Sequence, residues 1–99
     1  MEKLSEKQIE AALVKAVKNE GGLCPKFVSP GLNGVPDRIV LLPDSRMAFV
    51  ELKAPGKTLR PLQLFRKRQL ENLGYRVYVV DRIDLIHTTL SRIKGGDES

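Results

Sequence analysis

Arg38-Ile39-Val40-Leu41-Leu42-Pro43-Asp44-Ser45-Arg46-Met47-Ala48-Phe49-Val50-Glu51-Leu52-Lys53 decides how this chain folds. Two apolar, partly β-branched runs flank a segment of turn formers, the pattern of a β-hairpin. Ile39, Leu41, Met47 and Phe49 would line one face, and Val40, Leu42, Ala48 and Val50 the other, as in central strands covered by helices on both sides. Because a strand alternates its faces, Glu51 and Lys53 leave on the same side while Leu52 turns inward with Val50 and Ala48. A five-residue connection, Leu42 to Arg46, pairs Leu41 with Met47 and sets Asp37 opposite Glu51, their Cβ atoms about 5 Å apart. A four-residue loop would shift the pairing by one and turn Asp37 to the other face. Both registers are open to the sequence, and the chemistry favours the first.

That chemistry is simple. Two carboxylates about 4 Å apart repel by on the order of 4 kcal/mol at an effective dielectric near 20, and a divalent cation between them relieves the repulsion. Oxygen ligands suit magnesium or manganese better than zinc. Lys53, beside Glu51, is a point charge able to orient or deprotonate an attacking water, or to neutralise charge at a phosphorus centre.

Outward from the hairpin, the chain reads as αβββαβα. Ser5 and Gln8 form a capping-box pattern before Ile9, Leu13, Ala16 and Val17 at helical spacing, Leu4 can staple onto Ile9, and Gly21-Gly22 ends the run. Leu23 to Val28 is expected to be a short strand, irregular or at a sheet edge because of Pro25. Residues 29–36 are rich in turn formers and deliver the chain to Asp37. After Lys53 a helix is expected from Pro61, with Leu62, Phe65, Leu70 and Leu73 on its apolar side and Gly74 closing it. Residues 75–80 are strong β-formers, Asp81 is placed to cap a last helix, and Ile83, Ile86, Leu90 and Ile93 form its stripe. A chain of 99 residues without repeat or linker is expected to be a single domain with a central mixed sheet flanked by helices.

Gly34-Val35-Pro36-Asp37, then Phe49-Val50-Glu51-Leu52-Lys53, then Gln63 in a helix resembles the virus-type replication-repair nuclease domain, VRR-NUC, in its stand-alone phage and bacterial form. That family belongs to the PD-(D/E)xK nucleases, whose restriction-endonuclease-like core matches the α/β order read above. The resemblance covers nearly the whole chain. It implies DNA cleavage that depends on magnesium or manganese, carried out by homodimers that resolve Holliday junctions in DNA repair. It also implies that Asp37, Glu51 and the main-chain carbonyl of Leu52 hold the metal, and that Glu10 on the first helix adds a carboxylate. Glu6, one turn earlier, is the alternative and also suits the positive end of the helix. Gln63 resembles the family glutamine that would bond the scissile phosphate or a metal-bound water.

Composition fits a polyanionic partner. The net charge is +5, and between Lys53 and Gln69 there are six cations and no acid: Lys53, Lys57, Arg60, Arg66, Lys67 and Arg68. Clustered cations attract DNA through counterion release, and Lys26 is a further candidate for the phosphate backbone. A solvated basic helix face is the plainer reading of the same residues. Cys24 is the one cysteine, which excludes an internal disulfide and a cysteine-based zinc site. The charged N-terminus and the absence of a long apolar run point to the cytoplasm and to no membrane association. His87 reads as a surface or partly packed residue, Asp81 and Asp84 as helix-start residues, and the aromatic residues as core. Two rivals share these features: a basic nucleic-acid-binding module without catalysis, and a flap- or sequence-cutting nuclease on the same fold.

Overall fold

The computed structural model describes residues 4–96. Ser5 starts the first helix: its hydroxyl accepts from the Gln8 N–H at 3.1 Å while Gln8 Oε1 accepts from the Ser5 N–H at 2.7 Å, the reciprocal cap expected from the sequence. This helix, α1 (Glu6–Asn19), buries Ile9, Leu13 and Val17. At Gly22 the chain passes so close to the hairpin that a Cβ there would overlap the carbonyl oxygen of Leu41.

The hairpin forms in the five-residue register. Strand β1 (Arg38–Leu42) runs antiparallel to β2 (Arg46–Leu52), with Leu41 opposite Met47 and Arg38 opposite Val50. Beyond β2 the chain crosses through α2 (Pro61–Asn72) to β3 (Val77–Val80), which pairs in parallel with β2. The sheet order is β1-β2-β3, and α3 (Asp84–Ser91) with a π-helical turn at Arg92–Gly96 completes the fold. Mixed sheet and flanking helices are as anticipated, but the Leu23–Val28 strand is not: it is reduced to two isolated bridges, Leu23 to Leu41 and Lys26 to Arg38. Pro25 lies between them and has no N–H to give a ladder, although its carbonyl still accepts from Ile39 at 3.0 Å.

One face of the sheet carries the core. Val40, Leu42, Ala48, Val50, Leu52 and Val80 meet Ile9, Leu13 and Val17 of α1, with Ile86, Leu90 and Ile93 from the C-terminal helix and turn. Fully burying each of the larger side chains stabilises by about 1.5–3 kcal/mol, so this layer holds helices and sheet together. The opposite face is only partly covered. Phe27 stacks on Phe49 there with ring centroids 5.4 Å apart, and Phe49 meets Tyr75 edge to face at 5.9 Å.

Helix α2 departs from expectation. Leu62, Phe65 and Leu73, read as its inward side, are 46%, 57% and 69% exposed, and the residue it buries is Arg66. The cause is helical phase: Gln63, Arg66 and Leu70, at i, i+3 and i+7, point inward, which turns Leu62, Phe65 and Leu73 away from that stripe. Asp81 does not cap α3 either. That helix starts at Asp84 after Ile83, without a side-chain cap, and Arg82 lies 3.9 Å from Asp81 and 3.6 Å from Asp84. Among the described residues no helix is long and apolar enough to cross a membrane.

Candidate active site

One step beyond the Arg38–Val50 pair, Asp37 comes opposite Glu51 on the partly covered face. Buried Pro36 precedes it, the Asp37 carbonyl accepts from the Phe27 N–H at 2.9 Å, and Asp37 Oδ2 accepts from the Leu52 N–H at 2.8 Å. The last bond ties the carboxylate to the end of β2 and leaves its second oxygen for another partner.

Glu51 is 3% exposed. Burial, reinforced by the charge of Asp37 and opposed by Lys53, pushes its carboxyl up to about 7. Its Oε2 accepts from Gln63 Nε2 at 2.8 Å. Gln63 reaches it from the first turn of α2, where its own Oε1 accepts from the Arg60 N–H at 2.9 Å. The helix cap therefore fixes the amide so that its donor end faces Glu51. Lys53 leaves β2 on the same face, just after the strand, and its N–H donates to the Val80 carbonyl at 3.1 Å.

Asp37, Glu51, Lys53 and Gln63 thus converge as the sequence predicts, whereas Glu10 goes elsewhere. Arg38 follows Asp37 and so points to the other face of the sheet, where its Nε donates to Glu10 Oε2 at 2.8 Å and its Nη1 to the Cys24 carbonyl at 2.7 Å. The helix carboxylate whose charge acts on Glu51 is Glu6, which adds to the upward push on its carboxyl. Sequence reasoning gave Arg38 no part. Its signal was a guanidinium on the buried-face phase of an apolar strand, which requires an acid from the covering helix.

The basic residues divide in two. Lys26, Lys57, Arg60 and Arg68 are exposed and join no ion pair among the described residues. Lys67 pairs with Glu71 at 2.8 Å, and Arg66 is buried, with donors bonded to Asn33 and Gln69. His87 is exposed on α3.

Among the described residues no three histidine, cysteine or acidic side chains cluster as a ligand set. The donors that do meet are two carboxylates, each with one oxygen already hydrogen-bonded, at the strand end where the Leu52 carbonyl lies. All are hard oxygen donors, and a buried carboxyl raised by a neighbouring carboxylate is stabilised as an anion by a divalent cation. The residues fit magnesium or manganese.

No family model matches the sequence. The chain is 48% identical over 85 residues to "Putative nuclease p44" of Acyrthosiphon pisum secondary endosymbiont phage 1, spanning 86% of this chain and 91% of that protein. A solved structure of a VRR_NUC domain superposes with a TM-score of 0.81 at 26% identity, covering 87% of this chain and 94% of the other. With 48% identity to a phage nuclease over most of both chains and a fold that matches a solved VRR_NUC domain, the chain belongs to the VRR-NUC family of nucleases.

Proposed function

We propose that the protein is a magnesium- or manganese-dependent endonuclease that hydrolyses DNA phosphodiester bonds, acts on branched DNA such as Holliday junctions, and works as a homodimer. The observation that carries this reading is Glu51, 3% exposed, facing Asp37 and flanked by Lys53. Asp37, Glu51 and the Leu52 carbonyl would hold the metal, which supplies a positive charge against the phosphate and a Lewis acid for water. Lys53 orients the attacking water or stabilises the extra negative charge as the water oxygen bonds to phosphorus and the leaving oxygen departs. Gln63 holds Glu51 by donating to it, and Glu6 sits where it adds negative potential to the site. Lys26, Lys57, Arg60 and Arg68 contact the phosphate backbone on either side.

The exposed apolar residues Leu62 and Phe65 of α2 and Leu73 at its end support the homodimer: helical spacing sets them on one side, a stripe of the kind that two-fold partners cover. Two sites related by a two-fold axis match the symmetry of a four-way junction.

The test is incubation with labelled four-way junctions, flaps and linear duplex in magnesium, manganese or chelator, beside Glu51→Ala and Lys53→Ala. Metal-dependent cleavage of junctions by the wild type alone is expected. Junction binding that survives both substitutions, with no cleavage of any substrate by the wild type, would leave a non-catalytic binding module. Cutting of linear duplex at one sequence would favour a restriction-type nuclease, and preference for flaps a flap-cutting one.

A further inference from the structure

We infer that Arg66 is a positioning residue: buried in α2, it locks the loop that leads to Asp37 onto the helix that carries Gln63, and so sets the two groups that flank Glu51. The inference rests on the nuclease reading above and goes beyond it, because Arg66 lies outside the site.

Arg66 is 9% exposed, the one buried residue of α2. Its Nε donates to the Asn33 carbonyl at 2.9 Å, its Nη1 donates to Gln69 Oε1 at 2.6 Å, and its Cζ stands 5.4 Å from the centre of the Phe65 ring. None of these partners is an acid, and Arg66 joins no ion pair among the described residues. Burying a guanidinium against neutral acceptors is expensive, and an apolar side chain of similar volume would fill the space at less cost. What arginine adds is a rigid fork that fixes two acceptors at once.

The acceptor that matters is in the loop. Asn33 lies four residues before Asp37, with Pro36 buried between them. Next to Asn33, Gly34 has φ +80°, and a Cβ there would stand 2.7 Å from Leu62 Cγ and 3.0 Å from the Leu62 carbonyl oxygen. The loop is thus seated on α2 twice, at Leu62 through a contact only glycine permits and one turn later at Arg66. Gln63 lies between those two points and donates to Glu51, while Asp37 at the loop's end bonds the Leu52 N–H. A shift of the loop on the helix moves one flank of Glu51 against the other.

Arg66→Lys keeps the charge and loses the fork. Gly34→Ala attacks the same joint from the loop without touching Arg66. Each is compared with wild type below its melting temperature for kcat and KM on a cleaved DNA, for magnesium affinity by calorimetry, and for the salt dependence of DNA binding in chelator. Both variants are expected to lower kcat by tenfold or more, since about 1 Å of misplacement can cost a hundredfold. Magnesium should bind severalfold more weakly, with KM within about twofold and an unchanged salt slope. If Arg66→Lys lowers the melting temperature but leaves kcat and magnesium affinity intact, Arg66 is merely structural and the proposal is overturned. It is also overturned if Arg66→Ala raises KM alone and reduces the salt slope by about 1, the mark of a phosphate contact. A wild type that neither cleaves DNA nor binds magnesium removes the reaction Arg66 would serve, and both readings then fall together.

Discussion

Gln63 is bonded at both ends of its amide: Oε1 accepts from the Arg60 N–H at 2.9 Å and Nε2 donates to Glu51 Oε2 at 2.8 Å. The first bond is a helix cap, so the second inherits its orientation from the backbone of α2. Gln63→Ala is expected to lower kcat about tenfold while leaving KM for DNA nearly unchanged. Gln63→Glu keeps an acceptor for Arg60 but sets a carboxylate against Glu51, and should be the worse of the two. Cleavage kinetics decide; full activity in Gln63→Glu would remove the donor from the mechanism.

The two glutamates of α1 should separate in opposite ways. Glu10→Ala leaves the Arg38 side chain, 15% exposed, without its carboxylate, which should destabilise the fold by about 1–3 kcal/mol. Glu6 is exposed in the first turn. Glu6→Ala should leave the melting temperature nearly unchanged and weaken magnesium binding. Thermal melts and metal titrations of the two variants check this, and the opposite pairing of effects would return the site role to Glu10.

Glu51 couples the fold to pH. Its carboxyl titrates near 7 when folded, against an ordinary value of 4.5. Between those values the folded state binds the extra proton, so its stabilising contribution is complete below about pH 4.5 and is lost as pH rises through 7. The loss is at most about 3 kcal/mol without metal. The difference in melting temperature between wild type and Glu51→Gln should therefore shift against wild type from pH 5 to 8 in chelator. Magnesium binds the ionised form, so its affinity should climb up to about tenfold per pH unit below 7. A pH-independent difference between the two proteins would contradict the raised value.

Asp44 and Ser45, in the hairpin turn, have φ of 66° and 62°. Asp tolerates that region better than Ser, and Gly best. Ser45→Gly creates an Asp-Gly turn and should stabilise by about 0.5–1 kcal/mol, after allowing for the added freedom of the unfolded chain. Denaturant melts measure it. Nuclease activity should not change, because this turn is at the far end of the hairpin from Asp37 and Glu51.

What the chain disclosed in advance depended on how local the cause was. The Ser5 cap is written in four residues, whereas loop length left two registers open for Asp37 and Glu51, and only the chemistry of two facing carboxylates beside a lysine favoured the one that forms. Residues whose fate is set by tertiary phase were harder to place. Glu6 and Glu10 share one edge of α1, and only the position of Arg38 under that helix separates them. Counting charges between Lys53 and Gln69 grouped Arg66 with its neighbours, although a rotation of 100° per residue puts it indoors and Arg68 in solvent. The same rotation exposes Leu62, Phe65 and Leu73, which hydrophobicity alone sends to a core.

Asp37 and Arg38 are consecutive residues of opposite charge, sent to opposite faces of the sheet, one toward Glu51 and the other toward Glu10. Were β1 to slip by one residue toward the turn's other setting, Arg38 would arrive opposite Glu51. A guanidinium would then neutralise the buried carboxylate, and no cation from solution would be needed. The slipped molecule would carry a satisfied, inert charge pair in place of a catalyst. Val40 and Leu42, buried on the core face of β1, are what forbid that slip, so the packing of one face of the strand decides whether the other face is chemically alive.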